Sequence, residues 1–312
     1  MSPATPTLRP WSGRRVLVTG HRGFIGGALT SRLIEAGADV RGVTRAAAGA
    51  EASPFPVVAC ELSNLDECRR AIALTQPDCI LHLAGHPFGA RDLERVLPTL
   101  RDNLVATVNL LTTAAEARTP RVLITGSLEE PDADDNPIPS SPYAASKWAG
   151  SVYARMFHRV YALPVVIARV FMVYGPGQSE PTKLIPSVIR TLSRGEAPRI
   201  SAGDRPVDWI YVDDVVTGLL RAADASGLDG CTIDLGTGVL TTVGDVVRHL
   251  AALFPGAPAP LFGSVAARPF EQVRAADVEA TRRALGWAPA VSVAEGLAAT
   301  VASARASQQV GP

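Results

Sequence analysis

Through its first half the chain alternates short β-branched runs with stretches of helical periodicity. Arg15 to Thr19 reads RVLVT and ends at a glycine turn, after which Phe24 to Ala36 spaces its apolar residues as a helix does and stops at Gly37. Strands are predicted at Asp39 to Val43, Pro56 to Cys60 and Cys79 to Leu83, with a helix from Leu65 to Leu74 before the last of them. A helix from Asn103 to Ala117, a strand from Arg121 to Thr125, a helix from Tyr143 to Tyr161 and a strand from Pro164 to Arg169 continue the series. Such alternation calls for an α/β fold of the Rossmann type, a doubly wound parallel sheet of about six or seven strands with helices on both faces.

Beyond Val173 proline and glycine become more frequent, and helical pieces such as Leu184 to Ser193 and Val243 to Phe254 mix with short strands. This predicts a second, smaller C-terminal lobe, with Trp209 to Ala223 and Thr232 to Leu235 returning to the first domain. The expected division is a loose tail over 1–13, a sheet domain over 14–170 and 208–236, and a second lobe over 171–207 and 237–312.

Composition narrows the function classes. A chain of 312 residues buries a sizeable core, and its 30 Lys+Arg balance its 30 Asp+Glu, so bulk charge favours neither nucleic acid nor an anionic membrane as partner. A small molecule fits better. Cys60, Cys68, Cys79 and Cys231 lack CxxC or paired metal-ligand spacing, so they read as reduced thiols and no metal site is expected. The opening residues are rich in proline, serine and threonine without an apolar leader, and no segment reads as a membrane span, which makes the cytoplasm the expected compartment.

The glycine turn reads Thr19-Gly20-His21-Arg22-Gly23-Phe24-Ile25-Gly26. In this strand–turn–helix context Gly20 permits the tight turn, Gly23 lets backbone approach a pyrophosphate, Gly26 allows close helix packing, and the helix N-terminus faces the phosphates. A dinucleotide site is therefore expected, with Phe24 and Ile25 in the first helical turn. The second strand ends Gly42-Val43-Thr44-Arg45 without the acid that would accept from a ribose 2′-hydroxyl. Thr44, Arg45 and Arg22 instead suit a 2′-phosphate, which favours NADPH and leaves NAD as the alternative; an ordinary solvated arginine is the plainer reading of Arg45. Glu61, beside Leu62 after the third strand, fits either an adenine contact or a solvated loop, and Leu83-Ala84-Gly85 offers small residues where a cofactor lies close to backbone.

Tyr143 and Lys147 stand four residues apart on one helical face, where the ammonium is expected to lower the phenol's pKa from about 10. Ser127 ends the preceding strand, at the sheet edge where open α/β folds bind ligands. A hydroxyl orienting a carbonyl, a phenol protonating it and a nicotinamide delivering hydride together make a carbonyl reduction.

With these residues assembled, the chain resembles the extended short-chain dehydrogenase/reductase family, in its NAD(P)-dependent nucleotide-sugar epimerase/dehydratase branch. The resemblance runs over nearly the whole chain: the glycine loop, Leu81-His82-Leu83-Ala84, Ser127, Tyr143 with Lys147, Arg169 with Tyr174-Gly175-Pro176-Gly177, Ile210-Tyr211-Val212-Asp213-Asp214-Val215, Gly236-Thr237-Gly238, and Arg268-Pro269 ahead of Leu285-Gly286-Trp287. Gly42 to Arg45 and Gly126-Ser127-Leu128-Glu129-Glu130 look like the matching stretches of GDP- and dTDP-4-keto-6-deoxyhexose reductases. The resemblance implies Ser127, Tyr143 and Lys147 as catalytic residues, a nucleotide-diphosphate sugar as substrate, Asn103 among the cofactor contacts, and a homodimer packed through the helices near Asn103 and Tyr143. His86, Ser127, Glu129, Met172, Lys183, Arg205 and Arg268 are its candidate substrate contacts.

Several positions depart from the family pattern. Leu128 replaces the acid that sugar 4,6-dehydratases carry directly after the catalytic threonine, which argues against dehydration. Met172 stands where an asparagine helps hold the substrate phosphates, and Val207 where an arginine precedes the strand. Asp213 and Asp214 read as helix caps and His82 as a core histidine. The leading expectation is an NADPH-dependent 4-ketoreductase of deoxysugar biosynthesis; the alternatives are an NAD-dependent 4-epimerase and, from another class, a catalytically silent dinucleotide sensor.

Overall fold

The computed structural model describes residues 11–45, 53–87, 89, 91–131, 137–266 and 271–309. By compactness the chain forms two units, Met1–Arg169 with Leu219–Ile233 and Val170–Gly218 with Asp234–Pro312.

In the first unit β1 (Arg15–Thr19), β2 (Asp39–Thr44), β3 (Val57–Ala59), β4 (Cys79–His82), β5 (Val122–Ser127) and β6 (Val165–Val170) are separated by α1 (Phe24–Glu35), α2 (Leu65–Thr75), α3 (Val96–Thr99), α4 (Ala106–Glu116) and α5 (Pro142–Tyr161). With β9 (Thr232–Leu235) these strands make one sheet in the order β3-β2-β1-β4-β5-β6-β9. β1 pairs in parallel with both β2 and β4, so the order reverses at β1, the switch point where doubly wound sheets bind their ligands. Leu17, Ile80 and Ile124 of the strands meet Ile72 of α2, Leu110 and Leu111 of α4 and Phe157 of α5 in one apolar cluster. Local chemistry sets the helix starts. Asn64 caps α2 by accepting from the Asp66 and Glu67 amides, and Ser141 caps α5, with Pro142 in the first turn.

The expected tail through residue 13 ends earlier. Trp11 is buried, Arg14 lies over its ring at 4.4 Å, and the Gly13 amide donates to the Gly37 carbonyl. His82 is a core residue, bonded through Nδ1 to the Thr19 hydroxyl (2.7 Å) and through Nε2 to the Thr107 hydroxyl (3.0 Å). Its burial lowers its pKa to about 3.

The second unit holds β7 (Met172–Tyr174), β8 (Pro206–Tyr211) and β10 (Leu240–Thr242) as a separate sheet, with α6 (Leu184–Ser193), α8 (Val243–Ala252), α9 (Val278–Leu285) and α10 (Val293–Gln309). β8 pairs with β7 and β10, so residues 208–218, which the sequence assigns to the sheet domain, belong here. Asp208 is buried and accepts from the Thr237 amide and hydroxyl, the Gly238 amide and the Ala276 amide, joining three segments through one carboxylate. Asp214 does not cap its own helix, α7 (Val212–Asp224); its carboxylate accepts from the Ala290 and Val291 amides at 3.0 Å.

Candidate active site

The glycine loop is built as the spacing requires. Gly20 has φ +73°, and a Cβ there would meet the Ala84 amide nitrogen at 2.7 Å; one on Gly26 would run into the Gly20 carbonyl. Both positions exclude any side chain. Phe24 and Ile25 are half-buried in the first turn of α1, Arg22 and Gly23 are exposed, and no side chain caps the helix, so its first amides are open to an anion. Leu83 and Ala84 lie against the loop, and a Cβ on Gly85 would stand 2.9 Å from Asn103 Oδ1. These features fit a dinucleotide pyrophosphate.

His21, inside the loop, is buried beneath Gly42, edge-on to Phe55 at 5.4 Å, and neither ring nitrogen has a hydrogen-bond partner. Thr44 is half-buried at the end of β2. Arg45 is exposed, and its guanidinium lies 3.6 Å from the Asp102 carboxylate. Glu61 Oε1 is occupied by the Ser63 amide (3.1 Å) and hydroxyl (3.0 Å), while the carbonyl of buried Leu62 accepts from Asn109 (3.0 Å). One of the two Glu61 carboxylate oxygens is thus engaged by its own turn.

Asn103 has a larger part than its sequence context shows. Its Oδ1 accepts from the His86 amide at 2.6 Å, and its Nδ2 donates to the His86 carbonyl and, at 3.0 Å, to the Ser146 hydroxyl of α5. It lies in a π-helical turn, Leu100–Val105, which precedes α4 and displaces the expected helix start from Asn103 to Ala106. The loop after β4, the π turn and α5 are thereby tied at one side chain.

Ser127 lies close enough to Tyr143 for its hydroxyl to favour the phenolate and lower the phenol's pKa. Ser127 Oγ also accepts from the Glu129 amide at 3.2 Å, and the Ser127 amide donates to buried Glu130 at 2.7 Å. Lys147 donates to the Thr125 carbonyl (2.9 Å) and hydroxyl (3.3 Å), and burial lowers its pKa to about 8. The expected lowering of the Tyr143 pKa is not found. Burial raises it, Glu129 and Glu130 raise it further, and only the Ser127 side chain opposes them. The ammonium faces Thr125, and the charges that act on the phenol are negative.

Glu129 accepts from the Ser141 hydroxyl at 3.5 Å. Glu130 is the residue that sequence reasoning passed over: it enters there only as the end of the Gly126-Ser127-Leu128-Glu129-Glu130 stretch, yet it is buried beneath Gly126 and Ser127, and burial raises its pKa.

The remaining candidates lie in the second unit. Met172 is in β7, paired with Trp209. Lys183 precedes the first turn of α6, and Arg205 is ion-paired with Glu271 at 2.5 Å. Arg268, like the acidic stretch from Asp132 to Asp135, lies outside the described residues. Among the described residues no helix is long and apolar enough to cross a membrane, and no group of His, Cys, Asp and Glu is placed to hold a metal.

The model of the NAD dependent epimerase/dehydratase family matches residues 16–236. The UDP-glucose 4-epimerase of Mycolicibacterium smegmatis is 32% identical over 92% of this chain and 97% of its own length. A dTDP-glucose 4,6-dehydratase of Neisseria gonorrhoeae is 30% identical over 92% and 94%. Among solved structures, MoeE5 in complex with UDP-glucuronic acid and NAD superposes with a TM-score of 0.80 at 32% identity, covering 94% of this chain and 99% of that one.

Proposed function

Since the chain belongs to the NAD dependent epimerase/dehydratase family, we propose that it reduces the keto group of a nucleotide-activated 4-keto-6-deoxyhexose. A nicotinamide dinucleotide, when bound, supplies the hydride. The observation that supports carbonyl chemistry is the placement of Ser127, at the end of β5, beside Tyr143 of α5, whose helix also carries Lys147; the phenol, its pKa raised by burial, Glu129 and Glu130, is the proton donor. Ser127 orients the keto oxygen, Tyr143 protonates it, and the tyrosinate left behind recovers a proton from solvent. The glycine loop would hold the pyrophosphate, and Lys147 the nicotinamide ribose.

Dehydration is disfavoured by Leu128, buried and apolar beside Ser127, although Glu129 supplies one carboxylate. At the nucleotide end Lys183, Arg205 and Arg268 are the candidate phosphate contacts, Arg205 being ion-paired with Glu271 through one guanidinium nitrogen. A homodimer is part of the proposal and is supported by the apolar surface of α3, the π turn and α5, where Leu97, Leu100, Val105 and Val152 are exposed.

The test is oxidation of NADH and NADPH against a panel of dTDP- and GDP-4-keto-6-deoxyhexoses. Turnover that disappears in Tyr143→Phe is expected; no turnover, or turnover indifferent to that change, would sink the proposal. A second reading, 4-epimerase, is favoured by the Mycolicibacterium relative. It expects a dinucleotide to copurify with the protein and no net cofactor consumption, which an absorbance scan and a coupled assay separate.

A further inference from the structure

Ser127 is held at three points by the turn that follows it. Its amide donates to Glu130 Oε1 at 2.7 Å, its carbonyl accepts from the Glu130 amide at 3.1 Å, and its Oγ accepts from the Glu129 amide at 3.2 Å. The first of these bonds is made by a carboxylate withdrawn from water: Glu130 is 2% exposed, and the absence of a side chain at Gly126 leaves room for it. A Cβ at Gly126 would stand 2.5 Å from Glu130 Oε1, 3.3 Å from Ile167 of β6 and 3.4 Å from the Ser151 hydroxyl of α5. Burying a carboxylate is costly, and a turn on the surface has no need of one. Here Lys147 and Arg169 are the positive groups that act on it.

A serine hydroxyl has two acceptor lone pairs and one proton to give. The Glu129 amide fills one acceptor position and leaves the proton for another oxygen. That proton reaches a keto oxygen only while the Ser127 backbone stays in place. We infer that Glu130 is a positioning residue: it anchors the Ser127 amide from beneath the end of β5 and so aims the Ser127 hydroxyl at the keto oxygen that Tyr143 protonates. The inference rests on the carbonyl reading above and adds to it a residue that acts through Ser127 and not on the substrate. The task needs an acceptor oxygen at the right reach and no negative charge. Glutamine therefore meets it, whereas methionine matches the length of glutamate with only a weak acceptor in its chain.

Steady-state kinetics on the 4-keto-6-deoxyhexose nucleotides test this with Glu130→Met, Glu130→Gln, Ser127→Ala and the double variant Ser127→Ala with Glu130→Met, each first shown to melt cooperatively. Glu130→Met is expected to lower kcat about 10–100-fold with KM nearly unchanged, since a misdirected hydroxyl costs orientation and not binding. Glu130→Gln, which restores the acceptor, should stay within about threefold of the wild type. In the Ser127→Ala background Glu130→Met is expected to add nothing, because the hydroxyl it aims is gone, whereas a merely structural role would lower turnover there as well. Gly126→Ala drives a methyl group against the same carboxylate and reaches the same result by a second route if Glu130→Met folds poorly: a loss of kcat that Ser127→Ala abolishes. Equal losses with and without Ser127, or a Glu130→Gln variant as slow as Glu130→Met, would overturn the inference. A wild type that turns over none of the keto sugars would overturn the proposed reduction and this inference with it, an outcome distinct from wild-type turnover that Glu130→Met and Gly126→Ala leave intact, which would overturn the inference alone.

Discussion

At Tyr143 two kinds of environment compete: the nearby Ser127 side chain, which favours the phenolate, and burial with two carboxylates, which favours the phenol. The second prevails, so removing the hydroxyl in Tyr143→Phe is expected to lower turnover by about 10²–10⁴-fold while dinucleotide affinity, read by fluorescence titration, stays near its wild-type value. Lys147 titrates near 8, so its charge is present at neutral pH and is lost as the pH rises through that value. His82 gives a separate pH signature. Its folded-state pKa of about 3 lies below the unfolded value of about 6.5, so the unfolded chain binds the extra proton and stability, complete above the unfolded value, declines as the pH falls toward 3. About 2 kcal/mol should be lost between about pH 7 and pH 5, with His21, its pKa also lowered by burial, adding in the same direction. Urea midpoints measured across that range check it; a flat profile would contradict the neutral, buried state of His82.

Among the elements, the glycine loop leaves least room for change. Gly26→Ala places a methyl group against the Gly20 carbonyl, and the loop must shift to admit it. Loss of dinucleotide binding with a lowered melting temperature is expected, whereas Gly177→Ala, where a Cβ meets nothing within 4 Å, should retain binding and pay only for its φ of +83°. Much at this scale was legible. The strand from Arg15 to Thr19 and the helix from Leu184 to Ser193 agree with the sequence reading to the residue, because a glycine turn bounds the first and amphipathic spacing the second. The start of α4 was not legible, since periodicity assumes α geometry and the chain enters that helix through a π turn. For the same reason the sequence could place Tyr143 with Lys147 but could not bring Asp102 to Arg45, a contact between segments 57 positions apart.

For the whole molecule, the division into two units was legible in its existence and not in its seams. Proline and glycine frequency announces the second unit, but only strand pairing tells that β8 joins β7 and β10. The same limit applied to the site: Ser127, Tyr143 and the glycine loop are read from local motifs, while the burial of the Tyr143 phenol itself, which reverses the expected effect, depends on packing that no local pattern records. Assembly is a prediction at this scale. The exposed Leu97, Leu100, Val105 and Val152 should lie between two copies, so Leu97→Glu with Val152→Glu is expected to convert a dimer into a monomer in sedimentation experiments. A wild-type chain that sediments as a monomer would refute it.

The π turn also makes an unusual demand on chain length. An α-helix advances about 100° per residue, so a turn that holds one residue more than α geometry allows shifts the phase of everything before it relative to everything after it. Deleting a single residue between Leu100 and Val105 would restore α geometry without touching the buried face of α4, which is set by Leu110 and Leu111. The helix would survive, but Asp102 and Asn103 would rotate away from Arg45 and His86. Loss of one codon there would be tolerated by the fold and felt by the candidate cofactor site.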